Sequence, residues 1–317
     1  MDIAALQLAA PRARAEVVTT SRSRGSGSEH APPTQCHTAA AEAAAPPTPA
    51  RARPDEDDCV ARLVPMCAAA VTADALEAAA RALHRVASEA PGRRVAIARA
   101  PGALNTLVRV CAMASADSAA LAAAAGALRC LLTVESAAGG DHSIGHTIDV
   151  AASILVTAGA LEALVRVCAV ATADDALEAG AAVLRSLAAV DERSAAAIAE
   201  TPGGLEALVR VCLTATADGA LEAGASALEN IAYNSDEHAA AIARMPGALE
   251  ALVRVCALGE EDAVLEEGAG ALQNLACDNT ASAAAIVRTE CGWAPRLRHG
   301  GEYGNVIVLV VCRGKHC

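Results

Sequence analysis

The chain has no phenylalanine, one tryptophan and two tyrosines. Its only lysine is Lys315; every other basic side chain apart from histidine is arginine. Without aromatic faces there is little for nucleobases to stack on, and a net charge of −12 repels phosphate. A nucleic-acid partner is therefore not expected. No uninterrupted apolar run approaches the roughly 18–20 residues of a membrane-spanning helix. The tail segment VIVLVVC (306–312) is far too short, so no transmembrane segment is expected. The N-terminus lacks the apolar core of a secretory signal, and Asp2 stands where myristoylation needs glycine. Catalytic signatures are missing too. There is no P-loop, dinucleotide fingerprint, nucleophile elbow or HExxH, so neither an enzymatic activity nor a cofactor is expected.

What the chain has is alanine, leucine, valine and repetition. GALEALVRVC (159–168) returns letter for letter at 247–256, with near-copies at 102–111 and 203–212. Its Leu-Val core falls at 63, 107, 164, 208 and 252, spacings of 44, 57, 44 and 44. A period of this size belongs to helical solenoids, whose units bury their apolar faces only by stacking on their neighbours. The 57 is one period with a 13-residue insertion, whose GGDHSIGH (139–146) reads as a glycine-rich loop.

One unit shows the logic. Ser235, Asp236 and Glu237 open a short apolar helix, and MPG (245–247) ends it. Leu249, Leu252, Val253 and Cys256 then form an apolar stripe at helical spacing. Glu250 and Arg254 are placed for an i,i+4 pair on the solvent side. A third helix over 264–276 turns Leu265, Gly268, Leu272 and Leu275 inward. Gly268 recurs as Gly180 and Gly224 and becomes alanine at 79 and 124, which suggests close helix approach at that level.

SDEHAAAIARMPGALEALVRVC, followed by LEEGAGALQNLACDN, resembles the armadillo repeat: a short first helix, Gly-Ala-Leu entering the second, and ALxNLA closing the third. The resemblance covers about residues 58–292. It implies an all-α, right-handed solenoid of about five armadillo-type units. The expected organisation is a disordered Ala/Pro/Arg/Ser-rich tail over 1–54, a repeat domain over 55–292 and a divergent cap or tail over 293–317.

Cys67, Cys111, Cys168, Cys212 and Cys256 share one repeat position at the end of an apolar stripe, and read as core fillers. Stacked helices lie on the order of 10 Å apart, beyond disulfide reach. Twelve cysteines without a paired framework favour a reducing compartment, so the cytoplasm or nucleus is expected. An organellar address read from the N-terminal segment is the alternative. The C-terminal Cys/His residues lack the spacing of a metal site; His142 and His146, four apart, could clamp a metal on a helix, but the flanking glycines argue for a loop, and no metal is expected.

In armadillo proteins the third helices line a concave groove, where an asparagine row faces extended peptides. The corresponding row here is Arg85, Cys130, Ser186, Asn230 and Asn274; the row four residues earlier, Arg81, Gly126, Ala182, Ser226 and Gly270, lacks the tryptophans of nuclear-import adaptors. Eight residues before the asparagine row stand Glu77, Glu178, Glu222 and Glu266. They read either as acids complementing helix N-termini or as an acidic lane that selects basic peptides. The resemblance implies a non-catalytic scaffold or adaptor for other proteins or peptides. Its contact residues would be Glu178, Ser186, Glu222, Asn230, Glu266 and Asn274, with basic partners favoured. Transport or tethering, as in karyopherin-type and vacuolar armadillo proteins, and service as a ubiquitin-ligase adaptor stay open.

Overall fold

The structure is a computed structural model and describes residues 54–89, 91–133, 142–277 and 286. The tail expected over 1–54, Pro54 excepted, and the cap expected over 293–317 lie outside them. Among the described residues every regular element is a helix. A first pair, α1 (Pro54–Ala68) and α2 (Ala73–Glu89), precedes trios of a first helix, short in all but one, a medium helix and a long one. These are α3 (Pro91–Arg99), α4 (Ala103–Met113) and α5 (Ala119–Leu132), then α6 (His142–Leu155), α7 (Ala160–Val170) and α8 (Asp174–Ala188). They continue with α9 (Glu192–Glu200), α10 (Gly204–Thr214) and α11 (Asp218–Asn234), and α12 (Asp236–Arg244), α13 (Ala248–Leu258) and α14 (Asp262–Ala276). Among the described residues α1 comes first, and residues 55–58 lie in its first turns.

Local chemistry sets the breaks. Asp191 caps α9, accepting from the Ser194 amide at 2.7 Å, and Ser235 caps α12, accepting from the His238 amide at 3.3 Å. The turn into α13 places Gly247 at φ 81°, in left-handed space that a β-carbon disfavours. Gly203 does the same before α10, at φ 78°.

Stacking follows the repeat. The long helices α2, α5, α8, α11 and α14 pack each against the next, and so do the medium helices α4, α7, α10 and α13. Between these two layers runs a continuous core, in which Leu107, Leu128, Leu164, Leu184 and Leu208 are inaccessible to solvent. Each such leucine contributes about 1.5–3 kcal/mol. Cys111, Cys168 and Cys212 are fully buried in it, and Cys67 and Cys256 are nearly as well enclosed. Burial drives Cys111, Cys168 and Cys212 up to about 12. The recurrent glycine of the long helix meets this row. A β-carbon on Gly268 would lie 2.7 Å from the Cys256 sulfur, and one on Gly224 3.0 Å from that of Cys212.

Three details differ from the sequence reading. The insertion is not a loop throughout: a helix starts at His142, and α6 takes the first place in its trio, longer at 14 residues than the 9-residue first helices of the others. His146 and Thr147 hold it to the end of α5, with His146 Nε2 3.1 Å from the Leu131 carbonyl and Thr147 Oγ1 donating to that of Leu132 at 2.9 Å. In α14 the inward position falls on Val264, fully buried, and Leu265 is only partly buried. The helix starts two residues earlier than its apolar pattern, which shifts the first turn. Most important, Arg254 makes no pair with Glu250, which is exposed. Its guanidinium turns back to the preceding trio and donates to the carbonyls of Cys212 at 2.8 Å and Ala215 at 2.9 Å. Arg210 does the same to Cys168 and Ala171, and Arg166 to Cys111 and Ala114. The forked side chain closes the last turn of the neighbouring helix, whose carbonyls have no partner within their own helix. A repeated ten-residue segment therefore carries its own stacking bond.

The opposite exchange joins the long helices. Neither α11 nor α14 has a capping side chain of its own. Asp174, at the start of α8, accepts instead from the Thr216 hydroxyl and from the amides of Thr216 and Ala217, the latter at 2.9 Å. Asp218 likewise accepts from the amides of Glu260 and Glu261, at 3.1 and 3.0 Å.

Candidate interaction face

Because the long helices are stacked in register, residues at one repeat position form rows across their outer face. The glutamate row is built as the spacing predicts, but its charge is largely answered. Arg129 of α5 forms an ion pair with Glu178 of α8, and Arg185 of α8 pairs with Glu222 of α11 at 2.6 Å. Glu77 pairs within its own helix with Arg81. These arginines stand one residue before the asparagine row, in a row that runs His84, Arg129, Arg185, Glu229 and Gln273. Sequence reasoning passed over this row because each contact crosses between units.

At the last interface the pattern reverses. Where the two earlier interfaces present arginine, α11 presents Glu229, which faces Glu266 and Glu267 of α14. Gly270 makes room for it: a β-carbon there would collide with a Glu229 carboxylate oxygen. Burial, then the hydrogen bond to Glu267, then the charges of Glu267 and Glu266 push the Glu229 carboxyl up to about 8. The acidic character of the face is thus concentrated between α11 and α14.

The asparagine row divides. Ser186 turns its hydroxyl back onto its own helix, donating to the Ala182 carbonyl at 2.9 Å. Asn274 reaches across to α11, its amide nitrogen donating to the Glu229 carbonyl at 3.3 Å. Asn230 is half-buried, and its side chain makes no hydrogen bond among the described residues. Glu178, Glu222, Ser186, Asn230, Glu266 and Asn274 therefore lie on one stack of helices, but only Asn230 keeps a side-chain amide without a partner there. No group of three or more metal-ligating side chains is assembled among the described residues. No single described helix is long and apolar enough to cross a membrane.

No family model matches the sequence, and no curated protein matches it. Among solved structures, one concerns the phosphorylation switch that controls the interaction between cadherin and β-catenin; β-catenin is an armadillo protein. It aligns with a TM-score of 0.60 at 15% identity, covering 82% of this chain. This chain spans about half of that one (53%). The likeness is one of fold: a stack of helical repeats. A designed self-assembling cyclic homooligomer and a designed 16-helix transmembrane nanopore also align, at TM-scores of 0.18 and 0.16 that carry no weight.

Proposed function

We propose that this chain is a non-catalytic binding scaffold of the armadillo type. In this reading it is a right-handed solenoid of about five units whose long-helix face receives an extended segment of another protein. Asn230 is the anchor, because an amide without a partner can donate to one backbone carbonyl and accept from one backbone N–H of an extended strand. Asn274 and Ser186 flank it. Glu266 and Glu267 supply charge selection, so a basic side chain is preferred near α11 and α14, while Glu178 and Glu222 serve mainly to join units. The observation that carries the reading is the row itself: Asn230 stands beside an acidic interface on an uninterrupted stack of long helices.

Fluorescence anisotropy with an arginine-containing extended peptide, and with the same peptide in which glutamate replaces arginine, tests it. The basic peptide is expected to bind and the acidic one not. Asn230→Ala should weaken binding about fivefold, as for one lost hydrogen bond. Equal affinity for the two peptides, or binding unchanged by Asn230→Ala, would dismiss this face as the site.

A further inference from the structure

Cys130 lies in the same row as Asn230 but differs from the core cysteines. It is half-buried, whereas Cys111, Cys168 and Cys212 are wholly enclosed. Two side chains of α2 reach its sulfur. The His84 imidazole stands over Gly126, one turn before Cys130, where it acts on the thiol, and Ser88 Oγ lies 3.7 Å from the sulfur. A third group comes from α3: the Arg94 guanidinium, held by donating to the Ala87 carbonyl at 2.8 Å and to that of Thr133. The only other charges nearby in sequence on α5 belong to Arg129, and these are engaged with Glu178 of α8.

The arrangement depends on one small residue. Gly126 stands one turn before Cys130, and a β-carbon there would lie 3.0 Å from both Cε1 and Nε2 of His84. At the next two interfaces the matching residues are Ala182 and Ser226, and the side chains matching His84 are the arginines that reach glutamate. The imidazole over glycine is thus a local departure from the ion-pair ladder, and it ends on a nucleophile. Its electrostatics agree. The His84 hydrogen bond, opposed by burial and aided by Ser88 and by the positive charges of His84 and Arg94, holds the Cys130 thiol below its ordinary value.

We propose that Cys130 is a covalent modification site: a thiolate paired with the His84 imidazole that reacts with small hydroperoxides reaching the long-helix face. The thiol proton passes to His84. The sulfur attacks one oxygen of the peroxide, an S–O bond forms and the O–O bond breaks. Sulfur is oxidised by two electrons to the sulfenic acid, and the peroxide is reduced. The departing oxygen takes the proton from His84 and leaves as water, or as an alcohol from an alkyl hydroperoxide. The site does not depend on the peptide-binding reading, although an adduct would stand in the same row as Asn230.

Alkylation of the full chain by iodoacetamide, resolved cysteine by cysteine by mass spectrometry, tests the nucleophile. Dimedone capture after hydrogen peroxide tests the product. Cys130 is expected to alkylate about fivefold faster at neutral pH in the folded chain than in the urea-unfolded chain, with its pH midpoint lower when folded. Cys111, Cys168 and Cys212 should be protected when folded. His84→Ala should slow Cys130 about fivefold and raise its midpoint while Cys111 stays protected. Gly126→Ala should displace the ring and do the same with histidine still present. Should His84→Ala expose Cys111, the folded-against-unfolded comparison on the wild type decides. A folded midpoint equal to or above the unfolded one, an unchanged rate in a folded His84→Ala, or no dimedone adduct at Cys130 would overturn the proposal.

Discussion

Replacing Arg210 by alanine separates two physical readings of the repeated decapeptide. If Arg210 were half of a solvated pair with Glu206, its loss would cost a few tenths of a kcal/mol, as for exposed helix pairs. In the structure it donates to the carbonyls of Cys168 and Ala171, at 2.8 and 3.0 Å, and closes the end of α7. Hydrogen bonds from a charged donor contribute about 1.5–3 kcal/mol each when the acceptor is cut off from water. Water can partly replace this half-buried guanidinium, so the two bonds together are worth about 2 kcal/mol. The favourable placement of positive charge at a helix C-terminus adds about 0.5 kcal/mol. Arg210→Ala should therefore lower stability by roughly 2–2.5 kcal/mol, and Glu206→Ala by less than about 0.5. Arg210→Lys should recover about half the loss, because an ammonium cannot hold both carbonyls in the fork geometry. Urea unfolding followed by far-UV circular dichroism measures all three. Equal, small losses for Arg210→Ala and Glu206→Ala would refute the capping argument.

The acidic interface carries a pH prediction. The Glu229 carboxyl is raised in the folded chain, so between its unfolded value and about 8 the folded state holds more protons than the unfolded state. Stability should then fall as pH rises through this window. Glu229→Gln should flatten the fall and raise stability at neutral pH by roughly 1–2 kcal/mol after discounting for solvent screening, as pH-dependent urea midpoints would reveal. Asp174 has the opposite sign. Against a burial contribution, hydrogen bonds from Thr216 and Ala217 hold its carboxyl below the ordinary value. Its stabilisation should be complete above pH 4 or so and fade as the solution is acidified further, and Asp174→Ala should abolish that acid limb at a cost of about 1 kcal/mol. Gly268→Ala should destabilise despite a gain of about 1 kcal/mol in helix propensity, because the new carbon would meet the Cys256 sulfur at 2.7 Å. Thermal melts should show Cys256→Ala rescuing Gly268→Ala more than additivity allows.

The sequence disclosed whatever recurs along one chain segment. The period, the glycine that opens α13 and the cysteine row were readable because each follows from local spacing. The close approach at Gly268 was inferable because a residue that weakens a helix was kept at a fixed level. Contacts between units were not readable this way. Glu250 and Arg254 have ideal spacing for a pair, yet the arginine leaves its own helix for carbonyls some 40 residues earlier. The glutamate row was visible, but not Arg129 and Arg185, since nothing in a linear reading says which neighbouring helix a long side chain will cross to. His84 and Cys130 stand in different units, and only stacking shows them as a pair. In the insertion, glycines at 139, 140 and 145 argued for a loop, while from His142 onward Val150, Ala151 and Ile154 found an apolar surface that supports a helix.

The two exchanges between units differ in direction. A later unit gives arginine to the helix end behind it, and an earlier unit gives aspartate to the amides ahead of it. The joint is therefore heterologous: its two surfaces are complementary and not alike, so units add head to tail and cannot meet face to face. Such a joint extends without inventing a surface, since a copied block of 44 residues brings both halves with it. The verbatim return of residues 159–168 at 247–256 is the mark such growth leaves. The departures from it, Cys130 facing His84 and Glu229 facing Glu267, are the places where one joint has been made unlike the others.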